Sequence, residues 1–283
     1  MKKLSLPIIS VTALSLSVIS LILRTVCVFA FFDKLGYYQS GAILPIITNV
    51  LAVISIILFF VATLIYIDSN KKISTPNNAA KYSALLPLGA LVFFAVQTIS
   101  NLVNSLQVIE VQSNFIPILT ILGAIAGGVF FFLIFFTDKQ KTVTVYCGLG
   151  ALVFVFFSWM STYFEFSSPI NSTQRVLFYV SCAGAMLFIF NEMCAIYGAV
   201  KPKFYYFSLF TAILTLASSA IPAIIGYASN KFEVYTNLEE DLFFTALLVY
   251  AVVRLITLTV SDKKSSQLPK EEAKTGNNEE ITE

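Results

Sequence analysis

The chain contains no histidine, a single tryptophan, and charged side chains at only 12% of its 283 positions. Without histidine, the commonest general base and the commonest metal ligand are both missing. The four cysteines, Cys27, Cys147, Cys182 and Cys194, stand apart in apolar sequence with no CxxC spacing. That argues against a disulfide framework, a zinc site or haem attachment, and no cofactor is expected. Soluble domains are nearer a quarter charged, so the scarcity of charge also excludes the soluble globular class. No basic surface offers itself to nucleic acid, and neither a glycine-rich phosphate loop nor a pair of intramembrane aspartates occurs.

What is present is apolar sequence, 57% of the chain, in runs that exceed the roughly 20 residues a transmembrane helix needs. Eight spans are predicted, over 7–32, 43–67, 83–109, 116–137, 142–164, 176–199, 204–227 and 241–260. The expected fold is all-α, a bundle of eight transmembrane helices arranged as four hairpins over residues 1–260. Residues 261–283, ending in KEEAKTGNNEEITE, are polar and without aromatics. Such a stretch cannot bury enough apolar area to fold alone, and it is expected to be a disordered tail.

Lysine and arginine fall in alternate gaps. Lys2 and Lys3, then Lys71, Lys72 and Lys81, then Lys139 and Lys141, then Lys201 and Lys203, and finally Lys263, Lys264, Lys270 and Lys274 mark one side. The other side has only Lys34, Arg175 and Lys231, with the acids Asp33, Glu110, Glu165, Glu233, Glu239, Glu240 and Asp241. Cytoplasmic loops keep the positive excess, so the protein is expected to be integral to a cell membrane with both termini cytoplasmic. The first span is longer than a signal-peptide core and has no small-x-small exit, so it is expected to stay attached. Tyr66, Tyr82, Tyr146, Tyr197, Tyr205 and Tyr206 read as the inner aromatic belt, and Tyr37, Tyr38, Trp159, Tyr163 and Tyr227 as the outer one. Asn171-Ser172-Thr173 matches a glycosylation pattern on the outer side.

The hexapeptide LGALVF occurs at 88–93 and again at 149–154. A spacing of 61 residues is also the approximate period of the hairpins, which fits either a parallel duplication or chance in low-complexity apolar sequence. Small residues let membrane helices approach closely. Ser10, Ala13, Ser17, Ser20 and Arg24 share one face of the first span and should point into the bundle. Gly123 and Gly127 form a GxxxG packing groove on the fourth.

Charge inside a bilayer costs about 2.5–3.5 kcal/mol on insertion scales, so intramembrane ionisable groups draw attention. Glu192 and Arg254 lie at similar depth in the cytoplasmic half and form a candidate ion pair. The alternative has Arg254 snorkelling past Thr257 and Ser261 to the surface. Toward the outer side, Gln97, Asn101 and Asn104 share one helical face, with Arg24, Asn49, Ser158, Ser161, Ser218 and Ser219 at comparable depth. If they converge, Arg24, Asn49, Gln97, Asn101 and Asn104 line a hydrated vestibule suited to a small polar or anionic ligand. If not, they are hydrogen-bonding glue between helices.

Three classes remain. A transporter or binder of a small polar or anionic solute explains the polar faces and buried charges. A non-catalytic subunit of a membrane complex, partnered by another membrane subunit as well as by lipid, explains the short loops and missing motifs. An intramembrane enzyme comes third, because Glu165, Glu192 and the outer acids do not cluster in sequence.

Overall fold

The computed structural model describes residues 6–33, 37–39, 41–106, 115–136, 141–164, 172–231 and 238–275. Its elements are α1 (Leu6–Phe31), α2 (Ile43–Tyr66), a short α3 (Asn78–Ser83), α4 (Leu85–Leu106), α5 (Phe115–Leu133) with a closing 3-10 turn, α6 (Lys141–Phe164), α7 (Thr173–Tyr197), α8 (Pro202–Ala228) and α9 (Leu238–Thr275). With α3 and α4 counted as one span, eight helices among the described residues are long and apolar enough to cross a membrane. The protein is an all-α, multi-pass membrane bundle.

Local sequence chemistry sets the helix ends. The Asn77 side chain accepts from the backbone N–H of Ala80 at 3.0 Å, so the third span starts at Asn78, five residues ahead of its apolar run. Ser172 caps α7 by accepting from the N–H of Arg175, as cap hydroxyls do for otherwise unpaired N–H groups. Arg175, which the sequence assigns to a gap, therefore sits buried in the first turn of α7. Gly198, at φ +88°, closes that helix in the left-handed conformation, which glycine adopts without steric cost. The polar stretch that begins at Ser261 starts inside α9, whose helix continues to Thr275. Asn171, Lys34, Lys139, Glu110, Glu165 and Glu233 lie outside the described residues.

Packing follows from bilayer solvation, with apolar side chains on the outside as well as within. Ile43, Ile46, Ile47, Val53 and Ile57 of α2 are exposed, and only 22% of that span is covered by protein. α8 is the opposite case at 83%, packed against α1, α2, α7 and α9. The remaining wall runs from α9 through α4, α5 and α6 to α7. The small-residue stripe of α1 faces inward as expected, with Ser10, Ala13, Ser17, Ser20 and Arg24 all buried.

Polar contacts tie the ends together. The Ser10 and Thr259 hydroxyls meet at 3.1 Å, Lys71 pairs with Asp262 at 2.5 Å, and Lys203 donates to the Leu64 carbonyl at 2.8 Å. This defines a near end, where α1 and α8 begin and α2 and the apolar part of α9 finish. Lys231 donates to the Phe29 carbonyl at the far end.

α5 and α6 pack with their backbones close together. A Cβ built on Gly123 would lie 2.6 Å from the Phe154 backbone nitrogen, and one on Gly127 2.9 Å from Cα of Ala151. On the facing helix, a Cβ on Gly150 would lie 2.2 Å from Cβ of Ala126. The GxxxG of α5 is thus an internal seam, which matches the use of small residues where membrane helices touch.

Candidate functional site

Two groups of buried charge occupy opposite ends of the bundle. Near the near end, Arg254 of α9 places Nε 3.0 Å from Oε1 of Glu192 on α7, both side chains 1% exposed. Glu192 also accepts from the Tyr205 hydroxyl at the start of α8 and from Tyr250 on α9 at 2.8 Å. Arg254 spends its other donors on the segment between α2 and α3, with Nη2 2.5 Å from the Ser74 carbonyl and Nη1 3.5 Å from that of Thr75. Its guanidinium lies 5.8 Å from the Tyr205 ring centroid, within cation–π range. Arg254 does not snorkel, because the returning backbone brings carbonyl acceptors to it. Tyr205 and Tyr206, placed by sequence in an aromatic belt, are fully buried. The signal missed was that one of them supplies a hydroxyl to an intramembrane carboxylate.

At the far end, Arg24 of α1 is 1% exposed. Its Nη2 donates to Asn49 Oδ1 on α2 at 2.7 Å, and its Nη1 donates to the Tyr38 hydroxyl from the α1–α2 connection. Burial raises the Tyr38 phenol above its ordinary pKa, with Arg24 pulling the other way, so the phenol meets Arg24 as a neutral acceptor. Arg24 Nε has no partner among the described residues. It borders an enclosed cavity of about 20 Å³ walled also by Gln174 of α7, Ser219 and Pro222 of α8, and Asp241 of α9. Gln174 Nε2 and Asp241 Oδ1 are likewise buried without a partner among the described residues. Three helices therefore bring a guanidinium, a carboxamide and a carboxylate to one small space. That space slightly exceeds the ~10–15 Å³ that one buried water requires.

A second polar pocket, of about 150 Å³, opens at the same end between α4, α5, α6 and α9. Thr98, Asn101, Thr120, Ser161, Glu239 and Glu240 line it. The first turn of α9 thus sends Glu239 and Glu240 to the open pocket and the next residue, Asp241, to the closed cavity.

The expected vestibule shared by Arg24, Asn49, Gln97, Asn101 and Asn104 is not formed. Arg24 and Asn49 meet, but Asn101 belongs to the acid-lined pocket, Gln97 is half-buried elsewhere on α4, and Asn104 is exposed. The amide face of α4 turns away from α1 because α4 packs on α5 and α9. Among the described residues, no three His, Cys, Asp or Glu side chains gather as for a metal ion.

The chain matches no family model, no curated protein and no solved structure.

Proposed function

We propose that this integral membrane protein binds, and carries across the bilayer, a small polar solute recognised at the far-end cavity of Arg24, Gln174 and Asp241. One observation carries the reading: three polar side chains from α1, α7 and α9, each with a buried polar atom that has no partner among the described residues, border one enclosed space. In an apolar solvent each such group costs several kcal/mol unless something satisfies it. The cavity admits a water-sized guest, so a larger solute requires α8 to bend. Pro222 stands in the cavity wall inside α8, and a proline there deprives the Ser218 carbonyl of its helical partner. Retention of positive charge assigns the lysine-rich near end to the cytoplasmic side, which puts the enclosed cavity in the outer half of the bundle.

The test is uptake by proteoliposomes of radiolabelled acetate, glycine and urea, which span anionic, zwitterionic and neutral small solutes. At least one is expected to enter saturably. Arg24→Gln and Asp241→Asn, at near-constant volume, should each weaken apparent affinity about tenfold or more, since a hydrogen bond to a charged group is worth ~1.5–3 kcal/mol. Folded wild-type protein that takes up none of the three saturably defeats the reading. The alternative, a non-catalytic subunit of a membrane assembly, draws on the Glu192–Arg254 network, whose hydrogen bonds are internally closed. Absence of uptake together with stoichiometric co-purification of one membrane partner favours it.

A further inference from the structure

If the far-end cavity is a solute site, as proposed above, its polar atoms also decide the charge of the guest. Nε of Arg24 and Nε2 of Gln174 border it as hydrogen-bond donors without a partner among the described residues. Neither nitrogen can accept. The Nη atoms of Arg24 are engaged by Tyr38 and Asn49, which leaves Nε to the cavity. Oδ1 of Asp241, from a side chain only 2% exposed, behaves differently. An ionised carboxyl only accepts whereas a protonated one also donates, so a single proton changes the donor count of the cavity.

Apart from Arg24 and Asp241, no ionisable side chain among the described residues borders this space. Around Asp241, α1 brings Arg24, α7 brings Cys182 and, in its first turn, Arg175, and α9 itself brings Glu239 and Glu240. Arg175 and Glu240 have contacts of their own, and the two glutamates line the separate pocket of about 150 Å³. α8 faces the cavity with Ser219, Pro222 and Ala223, α4 has no ionisable residue along its length, and α3 carries Lys81 and Tyr82 at the near end.

A carboxylate group matches the three unpartnered atoms when Asp241 holds a proton. Its two oxygens accept from Arg24 Nε and Gln174 Nε2, and the Asp241 O–H donates to one of them, so each atom finds a partner. With Asp241 ionised, the same guest would set two carboxylates against each other, an arrangement that like charges disfavour. An ammonium guest would meet the guanidinium. A zwitterion with its ammonium on Asp241 and its carboxylate on Arg24 needs room for two charged groups, where a cavity of about 20 Å³ must widen even for one. Charge inside a bilayer is costly, and an anion accompanied by a proton adds none to the site.

We infer that the cavity takes a small monocarboxylate together with one proton, the anion on Arg24 and Gln174 and the proton on Asp241. One RCOO⁻ and one H⁺ enter from the same aqueous side and leave together on the other. The Asp241 O–H bond forms on entry and breaks on release, no bond within the solute changes, and no net charge crosses the membrane.

The experiment uses the full chain in proteoliposomes with an entrapped pH dye and radiolabelled glycolate, whose acid crosses lipid more slowly than acetic acid. Protein-free vesicles give the leak, and potassium gradients with valinomycin set the membrane potential. Wild-type protein is expected to take up glycolate saturably with one proton per anion, at a rate that potential of either sign leaves unchanged. It should accumulate the anion about tenfold for each pH unit of inward proton gradient, as proton linkage requires. Asp241→Asn, besides its weaker affinity, keeps an amide donor but no removable proton, so its remaining uptake should leave the dye unmoved and respond to potential. Saturable wild-type uptake of glycolate that moves no protons, or that potential drives, overturns the inference. So does saturable entry of glycine or urea with glycolate excluded, which leaves the solute-binding reading standing. If glycolate, acetate, glycine and urea all fail to enter saturably, reading and inference fall together, and these wild-type outcomes decide whether or not the variant folds.

Discussion

Replacing Glu192 with leucine is expected to cost about 3–5 kcal/mol, the penalty for leaving one partner of a buried ion pair uncompensated. Arg254 would keep its two backbone carbonyls but lose the only carboxylate it contacts among the described residues. Tyr205 and Tyr250 would lose their common acceptor in a fully buried setting. Each orphaned hydroxyl adds a desolvation penalty of ~1–3 kcal/mol. Glu192→Gln should fall between, because a carboxamide oxygen still accepts from a tyrosine. The double variant Glu192→Leu with Arg254→Met removes both charges and should recover most of the loss, since well-packed apolar replacements of buried pairs are often neutral. Thermal unfolding in detergent, read by a thiol-reactive dye on the buried Cys27 and Cys182, measures all three. If Glu192→Leu melts like the wild type, or if the double variant is no better than the single one, the pair is not a staple.

The network also fixes a connection between helices. Arg254 holds the carbonyls of Ser74 and Thr75, Lys71 pairs with Asp262, and Asn77 caps the helix that follows. Together they draw the irregular segment between α2 and α3 over the near end of α9. Losing Glu192 is therefore expected to loosen this cover as well as the helix contact.

The number of spans is legible in the sequence because bilayer thickness imposes a minimum apolar length on each helix. Depth is legible for the same reason, and it placed Glu192 and Arg254 level with each other. Rotation about each helix axis is not. The amides of α4 share a face by their spacing, yet nothing in that spacing says which neighbour the face meets. Only Asn101 of that face reaches the pocket between α4, α5, α6 and α9, Gln97 and Asn104 line neither pocket, and Arg24 meets Asn49 apart from all three. Tyrosine is equally ambiguous, since the same residue suits a membrane interface and a buried hydrogen bond. Tyr38, Tyr205 and Tyr250 take the second use. Gln174 carried no signal, because it enters the cavity only through the way α7 packs on α8.

The hexapeptide LGALVF provides the sharpest contrast between sequence and environment, and the second large prediction. Its two copies are identical, yet a Cβ on Gly89 of α4 meets nothing within 4 Å, whereas one on Gly150 of α6 meets Ala126 Cβ at 2.2 Å and its backbone at 3.0 Å. Gly150→Val is therefore expected to force α5 and α6 apart. It should disturb the aromatic contacts that Phe154 makes four residues on, 4.9 Å from Phe94 and 5.0 Å from Phe243 between ring centroids. Overpacking of this kind costs about 1–3 kcal/mol, and the loss should reach the upper part of that range because backbone as well as side chain must yield. Gly89→Val should stay within about 0.5 kcal/mol of the wild type, as substitutions without contacts do. Ala126→Gly should restore part of the stability of Gly150→Val, since it removes the nearest clash and leaves the backbone contact. The same thermal assay separates the outcomes: equal losses at positions 89 and 150 would mean that the two copies occupy equivalent packing sites. A large loss at 150 alone means that helix packing gives identical sequence two different roles, so the 61-residue spacing carries no equivalence of environment.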